Sequence, residues 1–126
     1  MMGFWIFMVM MDLMIPLIMI VFGKVFLKNP PKEINLIYGY RTGRSMKNKD
    51  TWNFAHRYFG KIWLRGGLVL LPVSLAVMLF VLGKDQNTVG TVGGALCFIQ
   101  LVPLIGAIFP TERALKREFD EEGRKR

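Results

Sequence analysis

Three apolar stretches, each about as long as a bilayer is thick, constrain this chain more than any other feature. The first covers residues 3–23, interrupted only by Asp12 and Pro16; the second covers 62–82 and the third 89–109. Twenty-one residues rising 1.5 Å each reach roughly 31 Å, the depth of one hydrocarbon core. A cleaved signal peptide fits the first stretch poorly. No positive segment precedes it, Asp12 breaks it, and no small-x-small cleavage pattern follows. The expected fold is an all-α integral membrane protein, one domain over residues 1–126, with three transmembrane helices.

The polar segments set the expected orientation. The loop 24–61 holds nine Lys and Arg, and the tail 110–126 holds six. The turn between the second and third stretches, Gly83-Lys84-Asp85-Gln86-Asn87-Thr88, holds one. With three spans, loop and tail share a side. Positive charge favours the cytoplasm, so the N-terminus is expected outside and the C-terminus inside. The net charge of +8 then reads as affinity for membrane lipids rather than for nucleic acid. The short turn makes the second and third helices antiparallel neighbours.

Inside the loop, Asn29-Pro30-Pro31 stops any helix continuing from the first span. Asp50 is a candidate cap for a helix beginning near Thr51. Trp52, Ala55, Phe59 and Ile62 share one face of that helix, and Arg57, Lys61 and Arg65 share another. This reads as a cytoplasmic amphipathic interfacial helix running into the second span. Pro110-Thr111-Glu112 reads as the cap and first turn of a short charged C-terminal helix. Glu112 and Lys116 form an i,i+4 pair, and the end frays toward Arg126.

Two constellations carry the candidate chemistry. The first is in the loop: Arg41, Thr42, Ser45, Asn48, Trp52 and His56, with Gly39 and Gly43 permitting tight backbone. Arg41 offers a planar fork for phosphate or carboxylate, and the short polar side chains add hydrogen bonds. Such a set suits a lipid headgroup, an anionic peptide terminus or the chain's own tail. In the plainer alternative, the arginines only meet lipid phosphates and fix topology. His56 reads either as a proton-handling group or as a hydrogen-bonding interfacial residue. The Gly39-x-x-x-Gly43-Arg44-Ser45 run is one residue short of a phosphate loop and lacks its lysine.

The second constellation is intramembrane. An acid inside a span is costly and faces the bundle interior. From the outer helix ends, Asp12 lies about 14 Å deep, Ser74 about 12 Å and Gln100 about 16 Å. These three form a candidate buried polar cluster, serving either function or helix packing alone. Arg65 lies nearer the inner end and is expected to snorkel to phosphate. Pro16, Pro72 and Pro103 put one proline in each span, where kinks would open a cavity between helices. Gly90-x-x-x-Gly94 offers a close contact within the chain or in a homodimer.

Cys97 excludes an intrachain disulfide and reads as a bland thiol. With one histidine and one cysteine, no metal site, cofactor or catalytic set is expected, and the chain does not read as an enzyme.

The loop also carries a resemblance. Gly39-x-Arg41-Thr42-x-x-Ser45-x-x-Asn48-x-x-x-Trp52, followed by His56 and Gly60, resembles the signature of the SdpI family of small bacterial membrane proteins. The tail from Pro110 through Phe119, ending in acidic residues, Gly123 and basic residues, is similar to that family's ending. The resemblance implies a bacterial plasma-membrane protein with a role in immunity to a secreted, membrane-active toxin peptide. It would act by binding peptide or lipid through the loop residues, with Asp12 and Gln100 lining a polar cavity. A longer family member also recruits a cytoplasmic regulator, which makes a receptor the second reading. A small transporter or lipid-handling protein is the third.

Overall fold

The computed structural model describes residues 2–35 and 38–126 and is all-helical apart from one isolated antiparallel bridge, Phe119 to Lys125. Four helices follow in order: α1 (Met2–Lys28), α2 (Lys49–Phe80), α3 (Gln86–Gly106) and α4 (Ile108–Glu118). The first three include helices long and apolar enough to cross a membrane, and only 17% to 22% of each apolar window is buried inside the protein. Phe7, Phe80, Phe98, Val102 and Phe109 all lie on the outside. Such a surface suits lipid, since water-soluble monomers rarely expose so large an apolar patch.

Several boundaries differ from the sequence reading. α1 runs five residues past 23, to Lys28, and stops at the expected Asn29-Pro30-Pro31. α2 is one continuous helix of 32 residues, about 48 Å long, so its first turns project beyond a ~30 Å core. Its cap is Asn48, not Asp50. The Asn48 side chain accepts from Thr51 N–H at 2.9 Å, and Thr51 Oγ1 accepts from Asn48 N–H at 3.0 Å. This reciprocal pair satisfies two otherwise orphaned donors, while Asp50 lies in the first turn. At the far end, Gly83 adopts φ +83° and turns the chain into α3, which starts at Gln86, three residues earlier than expected. α4 follows α3 after Ala107 alone, so Pro110 and Thr111 lie within its first turn rather than capping it.

The buried positions of the spans repeat at alternating four and three residues. They are Asp12, Pro16, Met19, Gly23 and Phe26 in α1; Gly60, Gly67 and Ser74 at intervals of seven in α2; and Val89, Gly93, Leu96 and Gln100 in α3. A 3.5-residue period keeps one seam of each helix facing its partners. Lipid supplies no hydrophobic drive between helices, so close backbone approach and polar contacts carry the packing. α1 and α2 share the most extensive interface, and α3 leans more on α1 than on its sequence neighbour α2. Each of the three tryptophans donates its indole N–H to a backbone carbonyl elsewhere: Trp5 to Met78 (2.8 Å), Trp52 to Pro31 (2.7 Å) and Trp63 to Leu104 (3.1 Å).

The α1–α2 crossing depends on missing side chains. A Cβ on Gly23 would come within 2.6 Å of Leu64 N and 2.8 Å of Gly60 O. A Cβ on Gly67 would come within 2.8 Å of Pro16 O. Gly90, by contrast, faces Phe4 of the same chain, and among the described residues nothing lies within 4 Å of a Cβ on Gly94. Gly23→Ala and Gly67→Ala should each destabilise the bundle by about 1–3 kcal/mol, the usual range for overpacking a tight contact. Gly94→Ala should leave it unchanged; denaturant titration in detergent micelles distinguishes the two outcomes.

Candidate functional site

The loop constellation folds inward. Gly39 takes φ +111°, and its missing Cβ makes room for His56, whose Nε2 would lie 2.5 Å from that atom. His56 is fully buried, between Trp52 at a ring separation of 4.3 Å and Phe26 in an edge contact at 4.9 Å. Its Nε2 accepts the Tyr40 N–H at 2.9 Å. The proton must therefore sit on Nδ1, which donates to the Trp52 carbonyl at 2.8 Å. Burial holds the imidazole below its ordinary pKa of 6.5, with the Trp52 carbonyl opposing that shift. The ring is neutral and has no free nitrogen, so it serves as a peg that fixes loop to helix.

The remaining loop residues extend this arrangement. Ser45 is buried; its hydroxyl accepts the Thr42 N–H at 2.9 Å and lies 3.0 Å from the Tyr40 carbonyl. Thr51 Oγ1 reaches the Ser45 carbonyl at 3.0 Å. Three groups then reach the C-terminal part of the chain. Tyr40 Oη and Thr42 Oγ1 both donate to Glu112 Oε2, at 2.5 and 2.7 Å. Asn48 Nδ2 donates to the Gly123 carbonyl at 2.7 Å. Burial, then the hydrogen bond and charge of Glu112, push the Tyr40 phenol well above its ordinary range, so it stays a donor.

The chain's own tail takes up Tyr40, Thr42 and Asn48, while Ser45, Trp52 and His56 bond within the loop and α2. Thr42, Ser45, Asn48, Trp52 and His56 all find partners within the chain, whereas Arg41 stays exposed. The tail is not frayed. After α4 it reverses, with Asp120 N–H bonded to the Arg124 carbonyl at 2.8 Å and Arg126 N–H to the Glu118 carbonyl at 2.9 Å. Glu112 turns to the two hydroxyls; among the described residues the ion pairs are Lys49–Glu33 and Arg124–Glu122, not the expected Glu112–Lys116.

The intramembrane constellation comes together as depth arithmetic suggests. Asp12, Ser74 and Gln100 are each 0% exposed. Gln100 Nε2 donates to Ser74 Oγ and to the backbone carbonyl of Asp12, both at 2.7 Å. That carbonyl is orphaned by Pro16, which sits four residues later and has no N–H to offer it. The carboxylate itself meets Cys97, whose thiol donates to Asp12 Oδ1 at 2.8 Å. Cys97 is thus part of the cluster rather than a bland thiol. Asp12 Oδ2 and Gln100 Oε1 are buried without hydrogen-bond partners among the described residues, and Oδ2 points toward Gly93. Arg65 is exposed, away from the cluster.

Sequence reasoning missed Tyr40, Thr51, Glu112, Gly123 and Cys97. The Asn48-x-x-Thr51 spacing was a readable cap signal, and Asp12-x-x-x-Pro16 announced a freed carbonyl. Nothing local marked Glu112 as the partner of residues 70 positions away.

The model of the SdpI/YfhL protein family matches residues 32–111, which hold the loop signature, α2 and α3. The chain belongs to the SdpI/YfhL family. A protein of Bacillus subtilis (strain 168) described as "Uncharacterized protein YfhL" is 34% identical over 110 residues, covering 84% of this chain and 86% of its own length. No solved structure matches. Family membership and three helices of spanning length make the chain a multi-pass membrane protein.

Two tests follow from this geometry. Glu112→Ala leaves the part-buried hydroxyls of Tyr40 and Thr42 without their acceptor and should cost about 1.5–3 kcal/mol, the range for hydrogen bonds to a charged group. Hydrogen exchange should then accelerate across residues 115–126 with the spans unaffected. For His56, the depressed folded pKa means its stabilising contribution is complete above about pH 6.5 and is lost as pH falls through the lowered value. Melting temperature should drop on that acid limb, and His56→Asn should flatten the slope.

Proposed function

We propose that the chain is an immunity-type protective protein of the bacterial plasma membrane, with its N-terminus outside and its C-terminus in the cytoplasm. It works by binding rather than by catalysis, and it meets a membrane-active toxin peptide inside the bilayer, at the level of Asp12. The observation that carries this reading is the two acceptors, Asp12 Oδ2 and Gln100 Oε1, that stay unpartnered among the described residues within one buried polar cluster. An unsatisfied acceptor in a dry interior costs several kcal/mol. A donor on an inserted peptide would relieve that cost. The internal engagement of the loop signature supports the same division of labour, with the signature closing the inner end and the bundle core meeting the ligand. A peptide arriving from outside then need not cross the membrane to be bound.

The test is survival of toxin-sensitive cells expressing the chain at matched membrane levels. Asp12→Asn should reduce protection about tenfold, the equilibrium effect of losing one hydrogen bond of about 1.4 kcal/mol. Arg41→Ala should leave protection intact. Protection that survives Asp12→Asn and disappears with Arg41→Ala would move the binding site to the loop.

A second reading rests on the exposed loop cations. Arg41 and Lys47 stand on a backbone locked by the His56 and Ser45 bonds, a rigid basic surface suited to a cytoplasmic regulator or to anionic lipid. In that case, neutralising Arg44, Lys47 and Lys49 should abolish partner recruitment while toxin resistance persists.

A further inference from the structure

A groove of about 750 Å³ opens at the basic end of the molecule, where the end of α1, the first turns of α2 and the folded-back tail meet. Its volume is that of a small-ligand site. Leu27 forms its α1 wall, Phe54 and Tyr58 its α2 wall, and Phe119 its tail wall. Phe54 stacks on Tyr58 at 5.9 Å and meets Phe119 edge-on at 5.5 Å.

Three cations line the groove: Arg57, Lys61 and Lys125. Asp50 and Glu118 line it as well, yet none of the three cations pairs with them; the ion pairs among the described residues lie elsewhere. All three cations are exposed. They therefore offer net positive charge with free hydrogen-bond donors, including one planar guanidinium that matches phosphate geometry.

Position along α2 decides what fills the groove. Arg57 and Lys61 lie one turn apart, and Arg65 follows one turn later, at the start of the apolar span. Leu68 (55% exposed) and Val69 (63% exposed) come next on the outward surface of the same helix. The groove thus stands where a polar helix end becomes a lipid-facing one, and its aromatic walls suit the membrane–water boundary. A ligand seated there has its charged end among Arg57, Lys61 and Lys125 and its apolar end along Leu68 and Val69.

We infer that this groove is a binding site for the headgroup of an anionic phospholipid, whose phosphate is held by Arg57, Lys61 and Lys125 while its acyl chains run down α2. The inference rests on the bilayer position of α2 alone and is independent of toxin binding. These residues lie apart from the loop signature, whose polar groups serve the fold.

Native mass spectrometry of the full chain, released from vesicles of mixed phosphatidylglycerol and phosphatidylcholine, tests it directly. The wild-type chain should retain phosphatidylglycerol in clear preference to phosphatidylcholine. Arg57→Gln with Lys61→Gln should reduce that preference by about an order of magnitude, since each basic residue near an anionic surface contributes severalfold to binding. Lys32→Gln with Arg113→Gln removes the same charge outside the groove and should keep the preference. Equal retention of the two lipids by the wild-type chain would overturn the site, whatever the variants do. So would equal loss in both double variants, because binding would then follow net charge and not the groove.

Discussion

Backbone contact between α1 and α2 is the constraint on which the rest of this structure depends. In lipid, apolar side chains gain nothing by leaving one apolar surroundings for another, so the helices must approach closely enough for dispersion and polar contacts to hold them. Gly23, Gly60 and Gly67 permit that approach, with backbone atoms of each helix filling the space a Cβ would occupy on the other. Everything above and below is positioned by this crossing. On one side of it along α1 lies the Asp12 cluster; on the other, Phe26 packs on the His56 ring and meets the loop.

The two polar assemblies are opposites in kind. At the basic end, side chains from the loop, α2 and α4 satisfy one another closely, and the neutral imidazole of His56 links loop backbone to helix backbone. Such a network specifies one arrangement because each group has its partner. Within the span, Gln100 ties Ser74 to the carbonyl freed by Pro16, but one oxygen of Asp12 and one of Gln100 stay unmet. The first assembly is complete without anything added. The second has capacity left over.

Much of this was legible in the sequence because the bilayer imposes a simple ruler. Length and hydropathy found the three spans, and rise per residue placed Asp12, Ser74 and Gln100 at one level. The 3.5-residue repeat of buried positions was harder to see, since all faces of a lipid-embedded helix are apolar and the pattern lies in small residues such as Gly60 and Gly67. The loop signature was visible as a set of residues, but their use was not. Polar groups at consecutive short spacings look alike whether they face a ligand or their own backbone, and only the fold brings Glu112 to Tyr40 and Thr42. The cap falls on Asn48 and not on Asp50, because the Asn48-x-x-Thr51 spacing allows reciprocal side-chain bonds to the two backbone amides, while Asp50 already lies inside the first turn.

The contacts of Thr42 with Glu112 and of Asn48 with Gly123 join parts of the chain separated by 70 and 75 positions. During synthesis all three spans leave the ribosome before the residues that complete the loop. The first two spans are therefore available for insertion before the basic end can close. Until the last turn arrives, the hydroxyls of Tyr40 and Thr42 and the amide of Asn48 lack these partners, and the half-made protein stands with its basic end still open.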